Sequence, residues 1–293
     1  MPRTFVWISA AVEIALALLA AVCLSRDSTF PLYLALYLAM SLPWLAASCI
    51  AVRENSSRGS DTALVLGVAV ILRAFFLLTD PVLSDDVFRY VWDGRVQHAG
   101  INPYLYAPDD LNLAPLRDAL PEVYAGINNK DIPTLYPPLM QLLFYAATAI
   151  SSSLLWMKAF YTLFDIALIF ALARLLTALG LSPLRALVYA WSPLPIVEIA
   201  GSGHNDVAAV FFLVAALWAF ERRRELGSIA LATASGLAKL AGFALLPFFW
   251  SFVKPRAFWA IPLATALAVL PYASAGELAL RGLREYALRL AGK

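Results

Sequence analysis

Long apolar stretches recur along this chain, and they limit what it can fold into more than any other feature. Most hold about twenty residues with few charges, the length that a helix needs to cross the roughly 30 Å hydrocarbon core of a bilayer. They lie at 5–24, 30–52, 62–79, 156–179, 184–200, 205–220, 228–252 and 257–274. Hydrophobic residues make up 61% of the sequence and charged residues 14%, whereas a soluble domain is about half apolar and about a quarter charged. The sequence therefore predicts an all-α polytopic membrane protein.

Charge and cysteine content narrow the classes of function. The net charge of +2 gives no reason to expect a nucleic-acid partner. Cys23 and Cys49 lie inside apolar stretches, where they are expected to act as small buried hydrophobes. The two histidines, His98 and His204, are poor evidence for a metal site, and no zinc spacing is present. We expect neither a metal nor a cofactor.

One long polar insertion interrupts the apolar pattern. Residues 80–135 are rich in Asp, Asn, Pro and Tyr, while the other connections are short. Because a loop of this length in a compact protein is usually functional, we expect the insertion to carry the active groups. The expected divisions are N-terminal transmembrane helices at 1–79, an external catalytic loop at 80–135, and the remaining helices at 136–293.

The distribution of Lys and Arg predicts the orientation, since these residues favour the cytoplasmic side of short loops. With Arg3 inside, the third span exits and the insertion lies outside the cytoplasm. If 136–155 does not cross the membrane, Arg222–Arg224 fall inside, so we expect an interfacial or re-entrant helix there. Segment 228–252 breaks near Lys239 and is expected to form two half-helices, whose tip faces outward.

The stretch "SDDVFRYVWDGRVQHA" predicts an amphipathic helix over 84–99. Ser84 is a suitable N-cap, and Asp85 and Asp86 would lie in the first turn, near the positive end of the helix. The apolar side would hold Phe88, Val91, Trp92 and Val96, and the polar side Asp86, Arg89, Asp93 and Gln97. We expect this helix to lie along the membrane interface with Trp92 at headgroup depth.

Two interpretations of its charged residues stay open. Helix capping and ion pairs three or four residues apart would account for all of them, and for Asp93 and Arg95 this is the favoured interpretation. In the functional interpretation, Asp85 or Asp86 accepts a proton from a hydroxyl group while a nearby cation holds a phosphate. That chemistry suits glycosyl transfer from a lipid-phosphate sugar.

Four motifs in this order resemble the GT-C superfamily of membrane glycosyltransferases. They are "SDDVFRYVWDGRVQHAGINPYLYAP", "IPTLYPPLMQLLF", "AWSPLPIVEIAGSGHND" and "GLAKLAGFALLP". They are most similar to family 87, whose members are polyprenyl-phosphate-mannose-dependent mannosyltransferases, and to the catalytic subunit of GPI mannosyltransferase I. Ser84 stands where the family's Asp-x-Asp motif has its first acid, and Asp86 stands at the second.

The resemblance implies a bundle of about eight or nine transmembrane or half-spanning helices with one large external loop. It implies inverting transfer of a hexose, with mannose expected, from a polyprenyl-phosphate donor to a lipid-linked or glycan acceptor. Asp86 would be the general base, with Asp85 as the alternative. Donor or acceptor contacts would come from Arg89, Tyr90, Asn102, Tyr104, Tyr136, His204, Asn205, Asp206 and Lys239.

The resemblance also implies a location and partners. The chain would lie in a bacterial inner membrane with its site facing the periplasm, among membrane lipids. Relatives run well beyond 293 residues, so we expect either a truncated gene product or a second chain that supplies further C-terminal helices. The alternatives are a lipid or solute transporter or flippase, which intramembrane charge also suits, and an inactive truncated subunit.

The expected orientation can be tested by labelling the insertion. A cysteine placed at Asn112, in a chain lacking Cys23 and Cys49, should react with an impermeant thiol reagent added from the periplasmic side, because 80–135 is expected outside the cytoplasm. Labelling that requires the inner membrane to be opened first would contradict this orientation.

Overall fold

The computed structural model describes residues 2–24, 29–55 and 59–291. Regular structure in these ranges is helical, without β-strands. Five helical runs within them are long and apolar enough to cross a membrane: Thr4–Leu24, Phe30–Arg53, Ser60–Leu77, Leu154–Ala178 and Pro255–Arg289. The predicted all-α polytopic class is confirmed.

The helices follow one another with few irregular stretches outside the polar insertion. The α-helices are α1 (Pro2–Leu24), α2 (Phe30–Arg53), α3 (Gly59–Leu77), α4 (Asp86–His98), α5 (Ala114–Ala119), α6 (Pro121–Gly126), α7 (Pro138–Thr148), α8 (Leu154–Ala178), α9 (Leu187–Ala190), α10 (Pro193–Pro195), α11 (Asp206–Glu221), α12 (Glu225–Ala238), α13 (Leu246–Phe249), α14 (Ala260–Val269) and α15 (Arg281–Ala291). Tighter 3-10 helices span Leu111–Leu113, Pro183–Ala186, Leu240–Leu245, Pro255–Trp259 and Leu270–Leu280, and a π-helix spans Ile196–Gly201. The chain forms two compact units, one of residues 1–84 and 158–224 and the other of residues 85–157 and 225–293.

Small residues bring the first helices of the first unit close together. Helix α1 packs along α2 and against α3. Ala17 and Ala20 on α1, and Ala47 and Ala51 on α2, are fully buried. Small side chains let helix backbones approach closely, which favours association of helices within a membrane.

A buried ion pair joins α3 to α8 in this unit. Arg73 Nε lies 2.6 Å from Asp165 Oδ2, and both side chains are at most 1% exposed. Tyr189 donates a 2.7 Å hydrogen bond to the other oxygen of Asp165, and Arg73 Nη1 donates one of 2.7 Å to the carbonyl of Ala190. The two intramembrane charges at Arg73 and Asp165 therefore neutralise each other in a buried ion pair.

Segment 184–200 was predicted as a single span. This prediction is wrong, because the segment does not form one continuous helix. The chain there consists of a 3-10 turn, the short helices α9 and α10, and the π-helix. Pro193 and Pro195 lack the backbone N–H that a continuing helix requires. The indole of Trp191 donates to the carbonyl of Val65 at 3.2 Å, which holds the broken segment against α3.

Helix α4, in the second unit, begins one residue later than predicted. Asp86 is its first residue and Asp85 is its N-cap, without a side-chain capping hydrogen bond. The assignment of Ser84 as N-cap is wrong, and so is the placement of Asp85 in the first turn. The Ser84 hydroxyl lies 3.0 Å from His204 Nε2 instead.

Helix α4 also lacks the exposed polar side that is expected of an amphipathic interfacial helix. Arg89 and Asp93, on the predicted polar side, are buried, and so is Trp92, which was expected at headgroup depth. Gly94 allows α4 to pack tightly on α7, because a Cβ there would collide with Phe144 and Thr148. Protein covers both sides of this helix.

The segment 136–155 contains only a short helix. Helix α7 has 11 residues and is therefore about 16 Å long, which is too short to cross a bilayer. Pro138 is its first residue, where the missing N–H costs nothing. The prediction that this segment is no full span agrees with its length.

The predicted break in segment 228–252 is confirmed. Helix α12 ends at Ala238, and Lys239 has the extended backbone angles φ −146° and ψ 123°. The 3-10 helix that follows packs back on α12. Gly242 permits this close return, since a Cβ there would collide with Ser235 and Gly236.

The last predicted span, 257–274, lies within a longer helical run from Pro255 to Arg289. Gly276 interrupts that run with a positive φ of 52°.

The expectation of buried cysteines is wrong for Cys49, which is exposed on α2, while Cys23 is half-buried. An apolar stretch does not show which of its faces packs inward.

The buried ion pair predicts a large effect on stability. Asp165→Ala should lower the free energy of unfolding by about 3–5 kcal/mol, because the Arg73 guanidinium would stay buried without its partner. Chemical unfolding in detergent measures this. The double variant Arg73→Met/Asp165→Leu should recover most of the loss, and a double variant no more stable than Asp165→Ala would contradict the explanation.

Candidate functional site

A cavity of about 180 Å³ lies in the second unit at the start of α4. Its polar lining comprises Asp86, Arg89, Asn128, Asn129, Tyr136 and Lys239. Tyr286 of α15 adds an aromatic ring, and Ile132, Pro133 and Leu135 add apolar surface. Its polar lining suits a small polar ligand.

Asp85 and Asp86 occupy different environments although they are neighbours in sequence. Asp86 is half-buried and lines the cavity, whereas Asp85 is exposed at the helix cap. The Asn128 side-chain amide donates to Asp85 Oδ1 at 2.6 Å and to Asp86 Oδ1 at 3.4 Å. Asp86 is thus the one of the two carboxylates that faces the cavity.

Arg89 lines the cavity but two of its donors are already used. Its Nε lies 2.8 Å from Asp93 Oδ1, and its Nη2 donates to the carbonyl of Ile132 at 3.1 Å. The buried pair with Asp93 confirms the ion-pair interpretation of Asp93. Arg89 therefore fixes the segment that carries Ile132 to α4.

Gln141 of α7 extends this buried network. Its amide nitrogen donates to Asp93 Oδ2 at 2.9 Å and to Thr134 Oγ1 at 2.7 Å. Its amide oxygen accepts from Gln97 at 2.9 Å, and Gln97 in turn accepts from the Tyr272 hydroxyl at 2.8 Å. Buried polar groups that are mutually satisfied specify one arrangement of the elements they join.

Asn102 and Tyr104, predicted to contact the substrate, hold chain segments together. Asn102 Nδ2 donates to the Tyr272 carbonyl at 3.1 Å and to Ser274 Oγ at 2.9 Å. The Tyr104 hydroxyl donates to the Tyr136 carbonyl at 2.7 Å. Burial raises the pKa of Tyr104 well above its usual value, so this hydroxyl keeps its proton.

Tyr136, predicted to contact the donor or acceptor, brings a phenol to the cavity. Its ring stands edge-on to Tyr90 with centroids 5.2 Å apart, and Tyr90 is itself buried and stacked on Phe144. Burial and then the Asp86 charge raise the pKa of Tyr136 well above its ordinary value. The phenol is therefore neutral and able to donate a hydrogen bond, and the ring of Tyr90 packs against the ring of Tyr136.

His204, Asn205 and Asp206 belong to the first unit and follow the π-helix Ile196–Gly201. His204 Nδ1 lies 2.7 Å from Glu198 Oε2, and its Nε2 lies 3.0 Å from Ser84 Oγ. Asn205 is the N-cap of α11 and is buried, while Asp206 is the first residue of α11 and is exposed. A π-helical turn often occurs at a functional site, and here it places Glu198 beside the imidazole.

The structure thus gathers some of the predicted residues and separates others. Asp86, Arg89, Tyr136 and Lys239 line one cavity, while Asn102 and Tyr104 support the surrounding backbone. Sequence reasoning missed Asn128, Asn129 and Tyr286 as cavity residues. The adjacent amides in "GINNKDIP" within the polar insertion were the available signal for the first two. Among the described residues, no group of three or more His, Cys, Asp or Glu side chains gathers to hold a metal.

Comparison with known proteins gives the family. A model of the MptA_B family, described as alpha-(1->6)-mannopyranosyltransferase, N-terminal domain, matches residues 7–255. The comparisons with curated proteins and with solved structures found no match. The matched range includes α4, the polar insertion and Lys239, and it supports the expected resemblance at the level of a membrane mannosyltransferase. The chain belongs to the alpha-(1->6)-mannopyranosyltransferase family, and it is a glycosyltransferase with the helices of an integral membrane protein.

Proposed function

We propose that this chain transfers mannose from a polyprenyl-phosphate donor to a hydroxyl of a lipid-linked or glycan acceptor. The observation that carries the proposal is the cavity of the second unit, where the carboxylate of Asp86 and the ammonium of Lys239 line one small space with the Tyr136 phenol. A base for the incoming hydroxyl and a cation for a departing phosphate are the two charges that this reaction needs.

The family description suggests the linkage, an α-(1→6) bond between mannose units. The acceptor would then offer the primary 6-hydroxyl of a mannose. In a single displacement the configuration at the anomeric carbon inverts, so an α-linked product requires a donor in which mannose is β-linked to phosphate. The proposed reaction is therefore inverting, with a β-linked polyprenyl-phosphate mannose as donor.

Asp86 is the proposed general base. Its carboxylate takes the proton of the acceptor hydroxyl as that oxygen attacks the anomeric carbon. The bond between the anomeric carbon and the phosphate oxygen breaks, and the electron pair leaves with polyprenyl phosphate. Asp85 is the weaker candidate because it is exposed at the cap and held by Asn128 at 2.6 Å.

Lys239 is the proposed contact for the donor phosphate. It lies at the break between α12 and the following 3-10 helix, and its side chain is exposed on the cavity. The leaving phosphate monoester gains negative charge, which a nearby ammonium stabilises. Arg89 is less suited to this role because Asp93 and the Ile132 carbonyl occupy two of its donors.

Neutral groups in the cavity can orient the sugar. The Tyr136 phenol lines it, and a neutral donor of this kind fixes hydroxyls without altering the charge balance. His204, Asn205 and Asp206 remain candidates for further donor or acceptor contacts, with Glu198 and Ser84 holding the imidazole.

The proposed setting is a bacterial inner membrane with the site facing the periplasm. The charge distribution that orients the chain supports this setting. A lipid-borne donor also needs a site at the membrane surface, where the polyprenyl chain stays in the bilayer. The lipid-phosphate sugar is the substrate, and no metal or cofactor enters the proposed reaction.

The proposed base can be tested by transfer of labelled mannose from β-linked polyprenyl-phosphate mannose in membranes that contain the chain. Asp86→Asn should lower kcat by about 10²–10⁴-fold, the usual contribution of a general base. Asp85→Asn, as the matched control, should stay within about threefold of wild type, a difference under about 1 kcal/mol. Equal losses in both variants would refute the assignment, and no transfer by wild type would refute the proposed donor.

The phosphate contact predicts an effect on donor binding. Lys239→Gln should raise the donor KM by roughly tenfold, equivalent to about 1.4 kcal/mol, because one charge-assisted contact to phosphate is lost. Steady-state kinetics with varied donor measure this. Lys254→Gln changes an exposed lysine after α13 and should leave the donor KM unchanged. An unchanged donor KM in Lys239→Gln would exclude the contact.

A further inference from the structure

Asn128 touches both candidate carboxylates. Its side-chain nitrogen carries two hydrogens, and it donates to Asp85 at 2.6 Å and to Asp86 at 3.4 Å. The short bond fixes Asp85 at the helix cap, while the long one restrains Asp86 and leaves it among the cavity residues. The contacts of Asn128 thus differ between the two adjacent acids, a difference that the sequence alone does not show.

A chain of hydrogen bonds continues from Asn128 to the last helix. Asn129 Nδ2 donates to Asn128 Oδ1 at 3.3 Å, and Arg289 Nη1 donates to Asn129 Oδ1 at 2.9 Å. Asn129 has a φ of 43°, a left-handed conformation that asparagine tolerates better than most residues. The turn at Asn129 therefore joins Asn128 to α15.

Arg289 is itself held by Asp131. The Arg289 Nη2 atom lies 2.5 Å from Asp131 Oδ2, and Nη1 lies 3.4 Å from Asp131 Oδ1. The hydrogen bond from Arg289 keeps the pKa of Asp131 below its usual value, so the carboxylate is ionised at neutral pH. A two-point contact of this kind fixes the orientation of the guanidinium in addition to the attraction between the charges.

The beginning of α15 docks on the same segment. Gly282 is buried, and a Cβ at that position would collide with the carbonyl oxygens of Pro133 and Thr134. One turn later, Tyr286 reaches the cavity. Helix α15 thus contacts the segment 129–134 at two points, through Gly282 and Arg289, and borders the cavity between them.

We infer that Asn128 is a positioning residue for the Asp86 base, and that Arg289 of α15 holds Asn128 in place through Asn129. This inference rests on the proposed function, because it gives Asn128 and α15 a role in the same reaction. An amide suits the position for a physical reason. It holds a carboxylate by a hydrogen bond without the full positive charge that would weaken the carboxylate as a base.

Kinetics of the purified full chain with β-linked polyprenyl-phosphate mannose test the inference. Asn128→Ala should lower kcat by roughly tenfold, about 1.4 kcal/mol in the barrier, with the donor KM within about twofold of wild type. Arg289→Ala and Asn129→Gly should each lower kcat by about threefold, since each removes one link and spares Asn128. Glycine at 129 keeps the positive φ, so only the side chain is lost.

The relation between the variants separates positioning from a general loss of structure. Adding Arg289→Ala to Asn128→Ala should lower kcat no further, because both changes break one chain of contacts. Asn112→Ala is the matched control, since Asn112 is an exposed asparagine of the same insertion that bonds only locally to Asp110. It should keep the wild-type kcat and melting temperature.

Three kinetic results would overturn the inference: a wild-type kcat in Asn128→Ala, a loss confined to the donor KM, or losses that multiply in the double variant. The melting temperatures of the same variants provide a second readout that needs no transfer. The two single changes should lower the melting temperature non-additively, and additive decreases would refute the link. If wild type transfers no mannose from this donor, the proposed function fails, and the melting temperatures still decide whether Asn128 and Arg289 are coupled.

Discussion

Charge buried among apolar helices must be paired, and this constraint shapes both units of the chain. In the first unit, Arg73 and Asp165 meet between α3 and α8 at 2.6 Å. In the second, Arg89 and Asp93 pair within α4 at 2.8 Å, and Gln141 joins them to α7. Each pair also bonds to backbone carbonyls or neutral side chains, so most of its donors and acceptors are used. These contacts tie α3 to α8 in the first unit and α4 to α7 in the second.

The candidate site depends on the pair in α4. Asp86 lies one turn before Arg89, so the contacts that fix Arg89 also fix the start of the helix. The bond from Arg89 to the Ile132 carbonyl secures the segment that carries Asn128 and Asn129. Arg89 and its partners thereby fix the backbone from which the Asp86 side chain projects. Placement of this kind is what a catalytic carboxylate requires, because small displacements of a reacting group are costly.

Local sequence patterns predicted the structure well where the cause is local. The break at Lys239 follows from a glycine and polar residue within an apolar stretch, and the short α7 follows from its opening prolines and its limited length. The start of α4 was misplaced: Asp85 is its N-cap, and the Ser84 hydroxyl lies beside His204. The span 184–200 was predicted as continuous, whereas Pro193 and Pro195 interrupt its helix.

The sequence by itself determined that this chain enters a membrane as helices and that one long polar insertion interrupts its apolar stretches. Apolar length and the positions of Pro and Gly act over a few residues, so they can be read without the fold. Tertiary structure alone decided that Asp86 faces the cavity, that Asn128 and Asn129 line it, and that Arg289 bonds to Asn129. Arg289 and Asp131 are 158 residues apart in sequence. Contacts over such distances arise from the packing of helices against one another, and no local pattern encodes them.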